Sequence, residues 1–276
     1  MKPQCKRWGF SFRELKVIRR YTKYEFMKKQ MIDIKTRDGL CDTYISYPEN
    51  RKNLPIVLLF MDAVGLRPRI YEMTDKIAES GYFALAPNLF YRSKRAPAAD
   101  YATLLKPDRL PELWQIIMPM AKALSTEMNQ SDVDSFLSYA KEQPQVNPKK
   151  IGSVGYCMGG GQALRNAGNF PNEFSVAASY HAAGLCTDLE NSPHLWFKKI
   201  KCEVYIGHAD NDQHMPPEQQ RKVKAALDEA HLKYTAELYP HCLHGWTMKD
   251  LPAYNKEGEE KHWQTLLSLF ARTLQT

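Results

Sequence analysis

The stretch Ile151-Gly152-Ser153-Val154-Gly155-Tyr156-Cys157-Met158-Gly159-Gly160-Gly161 constrains this chain more than any other. Its apolar start reads as a buried strand, its glycines as a tight turn, and the residues from about Met158 to Ala167 as a helix. Gly155 and Gly159 flank Cys157 in the pattern G-x-C-x-G. That spacing is the thiol form of a nucleophile elbow, in which a strained strand-to-helix turn lifts a side chain above the sheet and only side-chain-free neighbours fit. The helix that follows would aim its N-terminal amides and the positive end of its dipole at the sulfur, which favours a thiolate and a nearby oxyanion alike. Taken alone, the same residues also describe a small buried cysteine at a close strand-to-helix packing, so the rest of the chain has to decide.

With 276 residues and 43% hydrophobic content, the chain can hold one sizeable α/β domain. Its six cysteines are scattered without a C-x-x-C pair, which argues against a disulfide framework or a zinc site and for a reducing cytoplasm. No metal ligand cluster or phosphate loop is visible, so neither a metal nor an organic cofactor is expected. No apolar run is long enough to span a bilayer, and a membrane role is not expected. The net charge of +7 is misleading: residues 1–30 hold ten Lys/Arg against Glu14 and Glu25, a net of +8, which leaves −1 for the remainder. A nearly neutral body gives no footing for nucleic acid. The first 30 residues lack the apolar core of a signal peptide and read as a basic extension without assigned chemistry, or as a start placed ahead of Met27 or Met31, more readily than as a transit sequence.

From Met31 the pattern turns regular. Met31–Thr36 and Cys41–Tyr47 read as a hairpin across Arg37-Asp38-Gly39-Leu40, and Pro55–Met61 as a central parallel strand buried on both faces. Asp62-Ala63-Val64-Gly65 follows it, at the sheet edge where open α/β sheets bind ligands. A helix from Arg69 to Ser80, a strand from Tyr82 to Ala86 and the loop Pro87-Asn88-Leu89-Phe90-Tyr91-Arg92 come next, Arg92 again at that edge. Residues 93–130, broken by Pro97, Pro107, Pro111 and Pro119 but rich in Leu, Ile and Trp, form either a lid-like excursion or a plain surface crossover. Ser131 caps a helix to about Lys141, and after the elbow come strands at Ser175–Tyr180, Cys202–Gly207 and Lys233–Tyr239 with helices at Pro216–Ala230 and Glu259–Leu274. Such alternation means an α/β fold: a mostly parallel, twisted sheet with helices on both faces.

A thiol elbow needs a base and a group that orients the base. Two later loops carry them: His208-Ala209-Asp210-Asn211-Asp212-Gln213-His214-Met215-Pro216, and Pro240-His241-Cys242-Leu243-His244-Gly245-Trp246. Cys157, then Asp212, then His244 is the chain order of the α/β-hydrolase fold, each after a strand. The Gly-Tyr-Cys-Met-Gly-Gly elbow, the Asp-x-x-Met-Pro loop at Asp212, the His-Gly-Trp ending at His244 and the Pro-Asn-Leu-Phe-Tyr-Arg segment resemble the dienelactone hydrolase family over nearly all of residues 31–276. The resemblance implies a Cys-His-Asp triad acting on a small ester or lactone, with Cys157 as nucleophile, His244 as base and later acid, and Asp212 orienting the imidazole. It implies an oxyanion hole from the amides of Met158 and Ala63. Asp210 competes with Asp212, and His181, His208, His214 and His241 with His244; spacing to Met-Pro and the glycine after His244 favour the first choices. Tyr156, His181 and Trp246 are expected to line the substrate pocket.

Two departures from the family stand out. Asp62 occupies the place of a glutamate thought to hold the thiol's proton, one methylene shorter, and is expected to gate Cys157. Arg92 matches one of two arginines that bind a substrate carboxylate, but the second place, four residues after the catalytic histidine, is Met248 with Lys249 beside it. The expected partner is a small ester or lactone whose anionic character is left open, handled by a monomer or weak dimer. The competing readings are a broad carboxylesterase or thioesterase and a hydrolase-like module that binds without turnover.

Overall fold

The computed structural model describes residues 26–276, and its elements follow the hydrophobic pattern of the chain. Strands β1 (Met27–Thr36) and β2 (Gly39–Pro48) form a hairpin with Thr36 paired to Gly39. β1 begins at Met27, so the folded body starts ahead of the expected boundary at 31; residues 1–25, most of the expected extension, lie outside the described residues. β3 (Leu54–Phe60) is buried at every position, as an unbroken apolar run predicts for a strand covered on both faces. Helix α1 (Pro68–Glu79), opened by a proline that needs no amide partner there, leads to β4 (Phe83–Pro87).

The 93–130 excursion contains a short helix α2 (Tyr101–Leu104), a longer α3 (Leu110–Ala123) and the start of α4 (Thr126–Lys141). α4 begins before the expected cap at Ser131. Ser125 caps it, accepting the Met128 amide at 3.1 Å. Thr126 to Gln130 are mostly polar and carry little periodic signal, which is why the apolar pattern starts later than the helix. The elbow strand β5 (Val146–Tyr156) runs into α5 (Met158–Asn169), followed by β6 (Phe174–Tyr180), a 3₁₀ turn (Pro193–Lys199) and β7 (Glu203–Asn211). Helix α6 (Pro217–Glu229), β8 (Tyr234–Leu243) and α7 (Lys256–Leu274) complete the chain.

Eight strands make one sheet in the order β1-β2-β4-β3-β5-β6-β7-β8. The β1–β2 and β2–β4 pairs are antiparallel, and all others are parallel. Alternation along β5 sorts the helices: Gly152 meets Leu274 and Phe270 of α7, while Gly155 meets the start of α5. α1 and α7 share one face, where Lys76 lies over the Trp263 ring, and α4 and α5 share the other, where Asn166 bonds Asn129. Because β3, β5, β7 and β8 run parallel, the loops after all four open at the same edge. Those loops carry Ala63, Cys157, Asp212 and His244. Among the described residues no helix is long and apolar enough to cross a membrane.

Stability carries a pH signature. Burial, the leading cause in each case, pushes His262 down to about 3, His208 down to about 4, and His181 well below its ordinary 6.5. These rings are neutral when folded and bind protons once unfolded, so unfolding takes up protons and stability rises with pH. Their contribution is whole above pH 6.5 and is lost as pH falls toward the folded values, at up to about 1.4 kcal/mol per pH unit for each ring. Burial alone would raise Glu259, but hydrogen bonds led by Arg69 hold it at about 2; carboxylates of this kind lose stability only below their ordinary 4.5. Chemical denaturation should therefore show a falling free energy between about pH 7 and about pH 5. A constant value across that window would contradict the neutral burial of these rings.

Candidate active site

Cys157 sits between β5 and α5 at φ 53°, a left-handed conformation that a non-glycine residue holds only when its surroundings impose it. The two flanking glycines impose it. A Cβ on Gly155 would lie 2.7 Å from the Gly160 nitrogen, and one on Gly159 would lie 2.5 Å from the Met61 carbonyl oxygen. The turn is thus pressed backbone to backbone on its own helix and on the end of β3.

The sulfur meets a histidine. His244 Nε2 lies 3.0 Å from Cys157 Sγ, and His244 Nδ1 lies 2.8 Å from Asp212 Oδ2. A carboxylate can only accept, so Nδ1 carries a proton and donates it, which turns Nε2 toward the sulfur. Asp212 is itself fixed by accepting the His214 amide at 2.8 Å on its other oxygen, and its side chain is 1% exposed. Burial opposes a charge on His244, yet its hydrogen bonds to Asp212 and Cys157 outweigh that and raise it to about 10. Burial likewise pushes Asp212 up, but His244 and the His214 amide hold it below its ordinary value. Asp210 serves elsewhere: it accepts the amides of His241 and Cys242 and braces the loop that delivers His244.

Around the sulfur, backbone donors divide cleanly. The amides of Val64 and Gly65 turn to the Asp62 carboxylate, and the amide of Cys157 to the Tyr180 carbonyl. Among the described residues, the amides of Ala63 and Met158 meet no loop carbonyl or side-chain acceptor. A sequence model of the dienelactone hydrolase family matches residues 41–274. The chain belongs to the dienelactone hydrolase family.

The hydrolase tropI of Talaromyces stipitatus is 29% identical over 212 residues, which cover 75% of this chain and 76% of that protein. The carboxymethylenebutenolidase of Pseudomonas putida is 26% identical over 167 residues, covering 60% of this chain and 66% of that protein. Among solved structures, the dienelactone hydrolase-like promiscuous phosphotriesterase P91 from metagenomic libraries aligns with a TM-score of 0.69 at 19% identity, over 90% of this chain and 98% of its own. That is a likeness of fold.

Within this dienelactone hydrolase family member, five expected site residues sit differently from the sequence reading. Asp62 does not bond the thiol; both of its oxygens accept from Arg67, at 2.7 and 3.0 Å. Arg92 is not free for a substrate anion, because Asp38 and Asp132 both accept from its guanidinium, which also lies over the Tyr91 ring. Tyr156 and Trp246 are fully buried rather than pocket-lining. The Tyr156 hydroxyl bonds His262 at 2.9 Å, and the Trp246 ring stacks on Tyr239. His181, 1% exposed, bonds the Thr247 hydroxyl at 2.7 Å and packs edge-on against His244. Tyr156 adjoins Cys157 and Trp246 lies two residues past His244, but both side chains point into the body that supports the site. His214 lies with its ring 5.0 Å from that of His244, and Met248 is fully buried. Among the described residues no group of three or more His, Cys, Asp or Glu side chains could hold a metal ion.

The sequence reading missed Arg67, Arg69 and Asp250. Two arginines flanking a proline at the ligand edge of the sheet were the available signal. Asp212→Asn should lower the midpoint of the His244 ring titration by about 2 pH units or more, followed by NMR, because the amide cannot stabilise the cation. Asp210→Asn should leave that midpoint in place. Equal effects from the two would refute the distinction between them.

Proposed function

We propose that this chain hydrolyses small, neutral carboxylic esters or lactones by acyl transfer through Cys157. As a member of the dienelactone hydrolase family it is an ester and lactone hydrolase. The observation that carries the cysteine mechanism is the line Asp212, His244, Cys157 at 2.8 and 3.0 Å, ending at the N-terminus of α5.

In the proposed sequence, His244 Nε2 takes the proton of the thiol, and Sγ attacks the carbonyl carbon. The carbonyl oxygen becomes an oxyanion held by the amides of Ala63 and Met158, where donors fixed in advance act most strongly. His244 then gives its proton to the departing alkoxide as the C–O bond breaks, leaving an S-acyl enzyme. Water, deprotonated by the same ring, attacks the thioester, and the acid leaves as Sγ is regenerated. With a lactone the alkoxide stays tethered, and one hydroxy acid is the product.

Neutral substrates are favoured by what surrounds the site. Arg92 is engaged by two carboxylates, Met248 offers no charge, and Lys249 pairs with Glu259 at 3.4 Å. This supports the broader carboxylesterase reading over one restricted to anionic lactones. Tyr101 of the 93–130 excursion donates to the Val64 carbonyl at 2.7 Å, which fits that segment as a wall of the acyl pocket. The chemistry needs Cys157 reduced and so assumes a reducing setting such as the cytoplasm; the five cysteines among the described residues are free.

Intact-mass spectrometry after brief mixing with an activated neutral ester should reveal an acyl adduct that decays with time in the wild type and is absent in Cys157→Ala. Steady-state rates on neutral p-nitrophenyl esters should exceed those on matched esters carrying a carboxylate. An adduct that persists in Cys157→Ala would sink the nucleophile, and a preference for the anionic series would sink the neutral-substrate reading.

A further inference from the structure

The loop after β3 and the loop after β8 are joined by one fully buried guanidinium. Arg67 is 0% exposed, and all five of its N–H donors are used. Nη1 donates to Asp62 Oδ1 at 2.7 Å and to the Gly65 carbonyl at 3.1 Å. Nη2 donates to Asp62 Oδ2 at 3.0 Å and Asp250 Oδ1 at 3.1 Å, and Nε donates to Asp250 Oδ2 at 2.6 Å. Each edge of the planar fork grips one carboxylate, an arrangement that a lysine point charge cannot reproduce.

The two ends of this bridge differ. Asp250 stands on a loop that is fixed several times over: Thr247 gives its carbonyl to Arg69 and its hydroxyl to His181, and tight turns run from Gly245 to Met248 and from Met248 to Leu251. Asp62 stands on a short loop whose shape depends on its own carboxylate, since Oδ1 also accepts the amides of Val64 and Gly65 at 3.1 and 3.3 Å. Ala63, the proposed oxyanion donor, is the residue between. We propose that Arg67 is a positioning residue that braces the Ala63 amide through Asp62, using Asp250 as a fixed post, and that Asp62 takes no part in gating the thiol. The inference rests on the acyl-transfer reading of the site.

A brace and a gate respond differently to the same substitutions. Loss of the brace moves an oxyanion donor but leaves the Cys157–His244 contact intact, so ester acylation suffers while simple alkylation of the sulfur, which needs no oxyanion donor, does not. Freeing or neutralising a gate would change alkylation itself. The variants are Arg67→Lys, Asp250→Asn and Asp62→Asn. Asp250→Asn is the safest for folding, because two carboxylates around one guanidinium carry a surplus negative charge and the Asp250 side chain is 22% exposed. The measurements are the acylation rate with an activated neutral ester and the alkylation rate of Cys157 with iodoacetamide, on variants whose thermal unfolding lies above the assay temperature.

Arg67→Lys and Asp250→Asn should lower acylation by about 10- to 100-fold while alkylation stays within about twofold of wild type. Asp62→Asn should also leave alkylation within that range. Unchanged acylation in Asp250→Asn, or alkylation that rises by an order of magnitude in Asp62→Asn, would overturn the brace. A wild type that acquires no acyl group sinks the acyl-transfer reading and the brace with it. A wild type that acylates while all three variants match it sinks the brace alone.

Discussion

The contact on which everything else depends is backbone against backbone: the Gly159 turn of α5 lying on the Phe60 and Met61 carbonyls at the end of β3. No side chain intervenes, so the distance between the turn that carries Cys157 and the loop that carries Ala63 is set by main-chain geometry rather than by rotamers. The left-handed φ of Cys157 costs on the order of 1–3 kcal/mol, and it persists because the strand, the helix and the β3 carbonyls leave the turn no other course. On the proposed mechanism, rigidity there has a chemical use. A nucleophile and an amide that must converge on one carbonyl group lose rate steeply when either is misplaced by an ångström.

Ion pairs then hold the loops that this contact leaves unrestrained. Pro68 opens α1 with an arginine on each side, and both side chains turn back to the loop that follows β8. Arg67 reaches Asp250, while Arg69 reaches the Thr247 carbonyl and, in α7, Glu259. Buried pairs of this kind are poor sources of net stability, because desolvation offsets most of the attraction, and removing one partner strands the other. Their use here is geometric: planar forks with paired acceptors admit little displacement, so the loop bearing His244 and the loop bearing Ala63 keep one relative position.

Much of this was legible in the residues. The alternation of apolar runs and turns fixed the strand cores, because β3 is buried at every position and β5 from Ile151 onward, with only the small Ser153 interrupting the apolar run. The elbow, Asp212 and His244 could be read because each is bound to a local pattern of glycine or Met-Pro that survives without knowledge of the fold. Three kinds of information could not be read. The start of α4 was hidden by a polar first turn that gives no period. Tyr156 and Trp246 lie beside Cys157 and His244 in sequence, and His181 lies beside His244 only in space, yet alternation or packing turns their side chains into the body. The partners of Arg92 lie 54 and 40 residues away at Asp38 and Asp132, and Arg67, though only 5 residues from Asp62, is turned toward it by Asp250 across 183 residues, distances at which one sequence carries no pairing signal.

Those pairings bear on how the thiol is activated in the proposed mechanism. For Asp62 to hold the proton of Cys157, an oxygen would have to leave Arg67, and breaking a buried pair costs about 3–5 kcal/mol. A hydrogen bond from a neutral thiol returns about 1 kcal/mol. The balance leaves the thiol to His244. An imidazole raised to about 10 by Asp212 and by the facing sulfur readily receives that proton, and once the sulfur is acylated its share of that rise is gone, which frees the ring to give the proton up. On the proposed mechanism, therefore, the sulfur itself sets the order of events: free, it draws the ring toward the cation at attack, and acylated, it releases the ring to act as an acid at departure.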